Sequence, residues 1–175
     1  GIYESRDAIP GVSGQTYTLQ VSVEGRRFTA SSTMPVLVPF EDLQAIRLPF
    51  GGTNTLVMTP LFSDPAGTGN NYQFVQSING KSLPNIFVVD DRNNDGSKIS
   101  TLLLAPDLEI KPGDSISIEM RTIDRVTYKY FIALDASNGN GPNASVPANP
   151  DNNFEGACLG YFAAYTVQRR SLIVE

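Results

Sequence analysis

The sequence predicts an all-β fold, an antiparallel β-sandwich or partly open barrel, with one short α-helix near 125–136. Three observations carry this. Two segments alternate strictly between apolar and polar residues, Thr16 to Val23 and Ser115 to Thr122, the period-two pattern of a strand with one face toward a core. Short apolar runs recur between clusters of Asn, Asp, Ser, Gly and Pro, with Gly 15 and Pro 12 among 175 residues, which is turn chemistry repeated at strand spacing. One stretch alone, Val126, Tyr130, Ala133 and Leu134 behind Asp124, has helical spacing and an N-cap residue.

In chain order, Tyr17, Leu19, Val21 and Val23 form the apolar face of a half-buried first strand. Glu24-Gly25 is a two-residue turn signal, and Arg26 to Thr33 returns as its antiparallel partner with Phe28 and Ala30 inward. Met34-Pro35-Val36-Leu37-Val38-Pro39 cannot pair continuously, because each proline lacks a donor and biases its predecessor, so a boundary between a 1–35 unit and a 40–175 unit is placed there. Further strands are expected at Leu43–Leu48, Thr55–Phe62, Tyr72–Ile78, Ile86–Val89, Ile99–Leu104, Ser115–Thr122 and Tyr161–Val174. Asn138 to Asn153 is a long loop of Asn, Gly, Pro and Ala, the kind of segment that carries contacts; Asn138, Asn143, Asn149, Asn152 and Asn153 are its candidate contact residues.

Composition removes several classes of function. Hydrophobic residues at 41% and charged residues at 18% fit a globular chain, and no run of about 18 apolar residues exists to span a bilayer. Net charge is -5 with no cluster of Lys or Arg, so a phosphate-tracking surface for nucleic acid is not expected. The chain contains no His and a single Cys158, which excludes imidazole acid-base catalysis, His-ligated zinc and an internal disulfide from this chain alone. Cys158 sits among small and apolar residues with nothing adjacent to lower its pKa, and reads as a packed thiol.

Among the remaining motifs, Asp91-Arg92-Asn93-Asn94-Asp95-Gly96 matches the opening of a calcium loop, with Asp91, Asn93 and Asp95 as the oxygen donors. The match stops there: the ninth and twelfth positions are Ile99 and Leu102, where a closing Glu is needed. A plain hairpin between the flanking strands is the simpler reading, and a weak calcium site would need Asp90 or a distant carboxylate to complete it. Gly67-Thr68-Gly69 precedes a strand rather than a helix and reads as a turn, not a phosphate loop; no other cofactor is expected. Asp64, Asp90, Asp91, Glu119 and Glu155 could furnish a glycosidase pair, but nothing in the sequence pairs them. Asn143-Ala144-Ser145 fits an N-glycosylation tripeptide, and Tyr161, Phe162 and Tyr165 read first as core aromatics.

The stretch from Pro147-Ala148-Asn149-Pro150 to Gly156-Ala157-Cys158-Leu159-Gly160-Tyr161-Phe162-Ala163-Ala164-Tyr165 resembles the tail of the Bacteroidota lipoprotein family called domain of unknown function 4249, with Cys158 where an apolar residue is usual. The Gly14–Ala30 hairpin, the Phe62-Ser63-Asp64-Pro65 to Phe74 segment and Tyr128-Lys129-Tyr130 agree with it in order. The resemblance implies a surface lipoprotein of the bacterial outer membrane, encoded beside TonB-dependent receptors, with no assigned activity. It also implies a missing leader, lipid anchor and early strands, so that 1–35 would end an immunoglobulin-like first domain. The leading expectation is a non-enzymatic binding or assembly module whose partner is an outer-membrane receptor or other envelope protein, with a glycan as a further candidate ligand. A carbohydrate hydrolase using paired carboxylates and a calcium-stabilised adhesive β module are the alternatives.

Overall fold

Glu24 and Gly25 both lie at positive φ, 50° and 77°, the pair of left-handed residues that a two-residue type I′ turn requires. They fold strand β1 (Thr16–Val23) onto β2 (Arg26–Thr33) in unbroken antiparallel register. Asn79 and Gly80, at 49° and 79°, repeat the device between β5 (Asn71–Ile78) and β6 (Lys81–Ser82). The computed structural model describes residues 2–50, 52–105, 108–137, 149–156 and 158–175.

Two sheets build the main body. One has the order β3 (Phe40–Phe50), β4 (Thr53–Ser63), β8 (Lys98–Ser100); the other runs β11 (Thr166–Ile173), β9 (Ser115–Ile123), β5, β6, with β7 (Phe87–Asp90) also on β5. All pairings are antiparallel, and the sheets face one another as a sandwich rather than closing into a barrel. Their inner faces supply the core: Met58, Phe62, Ile99 and Leu103 from one side, Tyr72, Phe74, Ile116, Ile118 and Met120 from the other. Phe62 is the pivot, with its ring 4.6 Å from Tyr72 and 5.9 Å from Phe74.

A third sheet joins β1 and β2 to β10 (Phe154–Glu155), so the first hairpin is completed by residues from far along the chain. Ser32 on β2 accepts a hydrogen bond from the Ala164 amide and donates one to Asp124. Val38, within the proline-bearing connection, and Phe40, just beyond it, are buried in the main core. The Phe40 backbone is held at both groups by β11, its N–H donating to Gln168 and its carbonyl accepting from Arg170 Nε at 2.7 Å.

The short helix α1 spans Arg125–Ser137 and packs over β5 and β7. Asp124 caps it, accepting the Thr127 N–H at 2.8 Å.

Four local expectations are corrected. The β1 face of Leu19, Val21 and Val23 is solvent-exposed, at 36%, 37% and 52%, because the body covers only the β2 side of the hairpin, where Ala30 and Ser32 are buried. The buried face of α1 is Thr127, Tyr128 and Phe131, whereas Val126 is exposed; Tyr128 is drawn inward beside Asp90, and Phe131 meets Tyr161 edge-on. The final strand begins at Thr166 and not at Tyr161, since both backbone groups of Phe162 are bound by the Asn153 side chain. The segments either side of Asp91–Gly96 are not partners: β7 pairs with β5 in one sheet and β8 with β4 in the other, so the expected hairpin is a crossing between sheets.

Because one Asp124 carboxylate both caps α1 and holds Ser32, Asp124→Ala removes two charge-assisted hydrogen bonds. Chemical denaturation is expected to show a loss of about 2 kcal/mol, and Asp124→Asn a smaller one because its oxygen still caps.

Candidate functional site

Two chain segments cross between the sheets at the same end of the sandwich. The first, Asp64 to Asn70, leaves β4 and enters β5; the second, Asp91 to Ser97, leaves β7 and enters β8. Each crossing must leave its backbone N–H groups without ladder partners, and each supplies carboxylates that satisfy the other. Asp91, 1% exposed, accepts the N–H groups of Gly69 and Asn70, both at 2.8 Å on Oδ2. Asp95 Oδ1 accepts the Gly67 N–H at 2.7 Å, and in return Asp64 Oδ2 accepts the Gly96 N–H at 3.1 Å. Backbone bonds from Asp64 N to Ser97 O and from Asp91 N to Asn70 O close the clasp. Gly67, Gly69 and Gly96 all lie at positive φ, 119°, 115° and 67°, which lets the chain curl around the carboxylates.

One ligand oxygen each of Asp64, Asp91 and Asp95 lies within 4.8 Å of the others. Oxygens bound to one calcium at about 2.4 Å stand at most about 5 Å apart, so the spacing falls within the span that one cation can bridge. Asp64 and Asp91 are buried and Asp95 is exposed. The Tyr72 hydroxyl donates to Asp64 Oδ1 from the core side, and burial followed by this bond to a carboxylate raises the phenol far above its ordinary pKa.

Of the three sequence-predicted donors, Asp91 and Asp95 bring carboxylate oxygens into one cluster, and Asn93 is exposed. Asp64, from the opposite crossing, supplies the third carboxylate of this cluster. The sequence signal for it is an Asp directly ending a strand and followed by Pro-Ala-Gly, which reads as an ordinary turn until the crossing opposite is known. Asp90 turns away to Arg92 and Arg125; burial pushes its pKa up, but hydrogen bonds from the two guanidiniums and the charge of Arg92 outweigh this and hold it below the usual carboxylate range.

A second polar region lies on the outer face of the five-stranded sheet, a hollow of about 350 Å³ lined by Val75, Ser77, Ser117, Glu119, Arg121 and Arg169 among others. Glu119 is gripped from two sides, by Arg121 at 2.6 Å and by Arg169. Burial raises its pKa, and the hydrogen bonds and charges of Arg169 and Arg121 together outweigh this, leaving a net depression. Arg121 also bonds Gln73 at 3.3 Å and lies over the Tyr165 ring at 4.7 Å, so Tyr165 serves as a platform for a guanidinium rather than as an open stacking face. Tyr161 packs against Tyr130 and Phe131 yet stays 39% exposed.

In the candidate contact loop, Asn138 and Asn143 lie outside the described residues, as does the Asn143-Ala144-Ser145 tripeptide. Asn152 and Asn153 are structural fasteners: Asn152 binds Cys158 O and the Phe154 N–H, and Asn153 binds Ser31 O, Phe162 O and the Phe162 N–H. Asn149 is exposed. Cys158 is a free, half-buried thiol.

Removing the buried Asp91 carboxylate strips the part-buried N–H groups of Gly69 and Asn70 of their acceptor. Asp91→Ala is expected to lower stability by about 3 kcal/mol in urea denaturation, well beyond Asn93→Ala, which is expected to change it by under about 0.5 kcal/mol.

No curated protein and no solved structure matches the chain. One family pattern does, over residues 1–171 and therefore nearly the whole length: the chain belongs to the family described as domain of unknown function, DUF4249.

Proposed function

We propose that this chain is a non-enzymatic binding or assembly module of the bacterial cell envelope, held at the outer membrane or cell surface by a lipid anchor and acting as an accessory to a TonB-dependent uptake receptor. The envelope setting comes from the lipoprotein resemblance of the sequence. The observation that carries the non-enzymatic part is how the acids are used. Asp64 and Asp91 accept backbone amides across the clasp, Asp90 is paired with Arg92 and Arg125, and Glu119 with Arg121 and Arg169. Glycoside hydrolysis needs two carboxyl groups facing across a cleft at about 5 to 10 Å. Three surface hollows are each lined by a single acid, Glu175, Glu109 or Glu119. With its acids engaged as structural acceptors, the fold is suited to presenting surfaces.

Affinity purification of the tagged, lipid-anchored protein from its own outer membrane is expected to enrich a receptor. Exchange of Asn138–Asn149 for a Gly/Ser linker of equal length is expected to abolish the enrichment, while leaving the Asn152 and Asn153 fasteners in place. Undiminished enrichment after the exchange would sink the role of that loop, and absence of any enriched envelope protein would sink the accessory reading.

A second reading is favoured by the convergence of Asp64, Asp91 and Asp95: calcium joins the two crossings and stiffens that end of the sandwich. An ion that binds only the folded state raises the melting temperature with its concentration. Millimolar calcium is expected to raise the midpoint by several degrees in the native chain and not in Asp95→Asn; an unchanged midpoint in the native chain would rule the ion out.

A further inference from the structure

We propose that the outer face of the five-stranded sheet is a binding site for a carboxylated glycan, a sugar chain containing uronic acid units. This rests on the non-enzymatic binding reading and gives it a ligand class.

The strand registers align the polar side chains of this face into rows. Ser82 pairs with Ser77, Ser77 with Ser117, and Ser117 with Ser171, so one row crosses four strands as four hydroxyls. Neighbouring strands lie about 4.8 Å apart, which presents a hydroxyl at intervals comparable with the width of one pyranose ring. The adjacent row, two residues along each strand and therefore about 6.8 Å away, is Val75, Glu119 and Arg169. α1 packs on β5, with Arg125 bonding Asn71, and Arg121, over the Tyr165 ring, bonds Gln73; Asn71 and Gln73 are buried. The serine end stays open.

The charges of the hollow select the ligand. Glu119, its side chain only 15% exposed, is opposed by two guanidiniums, so the lining carries one positive charge in excess within a chain of net charge -5. The two arginines are not equivalent. Arg121 is fully engaged, with Nε and Nη2 on Glu119, Nη1 on Gln73 and its plane on Tyr165. Arg169 gives Glu119 a single nitrogen, Nη2, and its side chain is 66% exposed, leaving Nε and Nη1 without a partner among the described residues. An ammonium would offer one point of charge; a half-engaged guanidinium offers further donors for a ligand carboxylate. The Ser117 hydroxyl likewise has no partner among the described residues, whereas Ser77 and Ser82 share one bond at 3.2 Å. A uronic acid matches this pattern: its carboxylate meets Arg169 and removes the surplus charge, and its ring hydroxyls exchange hydrogen bonds with Ser117 and Ser171. A neutral sugar satisfies the hydroxyls and leaves the charge.

The test is isothermal titration of the 175-residue chain with tetragalacturonate, with cellotetraose as the neutral counterpart, in low salt. Saturable binding of the uronate, at least tenfold tighter than that of cellotetraose, is expected. Arg169→Gln, at an exposed position where folding is retained, is expected to weaken it at least tenfold; Ser117→Ala is expected to weaken it severalfold with an unchanged melting curve. Absence of saturable uronate binding, equal affinity for the neutral tetramer, or an Arg169→Gln affinity equal to the native one would overturn the site. Reducing ends measured in the same samples separate the two proposals: newly released ends would overturn the non-enzymatic reading while binding stood, and failure to bind while envelope partners still copurify would overturn the glycan site alone.

Discussion

The Asp91 carboxylate, buried and accepting two backbone amides from the opposite crossing, is the contact on which the rest of this sandwich depends. A sandwich whose strands change sheets must move the backbone out of one ladder and into another, and the amides exposed in transit lose their partners at the point where water is being excluded. Here the two crossings lie face to face, and each answers the other with a carboxylate. Phe62 and Tyr72, the central contact of the core, flank the first crossing on either side, so the clasp also sets the distance over which those rings meet. The Tyr72 hydroxyl, delivered to the back of Asp64, links the clasp to the apolar interior.

The other end of the logic is at Phe40. Its strand belongs to the three-stranded sheet, but its amide and carbonyl are held by Gln168 and Arg170 of the five-stranded sheet. Side chains thereby do at one margin what carboxylates do at the other, and the two sheets are joined by polar bonds at their borders and apolar packing between them. The inner-facing Gln168 and Arg170 leave Arg169, next in sequence, to face outward beside Glu119. One strand thus serves closure with its even positions and surface chemistry with its odd ones, a direct result of the period of two.

Much of this was legible in the sequence, and the illegible parts share a cause. Strands, turns and the helix are encoded locally: Glu24-Gly25 and Asn79-Gly80 act where they stand, and Asp124 caps the helix that follows it. Pairing is not encoded locally. The Asp91–Gly96 segment has the composition of a hairpin tip, and only the alternatives offered by β4 and β5, distant in sequence, decide that its flanks go to different sheets. The same holds for Asp64, ordinary in its own turn and significant only opposite Asp91. Apolar alternation in β1 predicts a covered face, yet cover is supplied by the body, which reaches Ala30 and Ser32 and stops short of Leu19 and Val21. For the helix, spacing gave the element and not its rotation, because Asp90 and Tyr161 choose which side turns inward.

Asp124 has a consequence for how this protein comes apart. Its two oxygens serve different masters, Oδ1 the first turn of α1 and Oδ2 the hydroxyl of Ser32, while the same hydroxyl accepts the Ala164 amide. Fraying of the helix end and lifting of the hairpin therefore draw on one side chain, and neither can proceed far without loosening the other. Segments separated by some ninety residues are joined into a single cooperative unit, so partial opening in this region is expected to be shared rather than local.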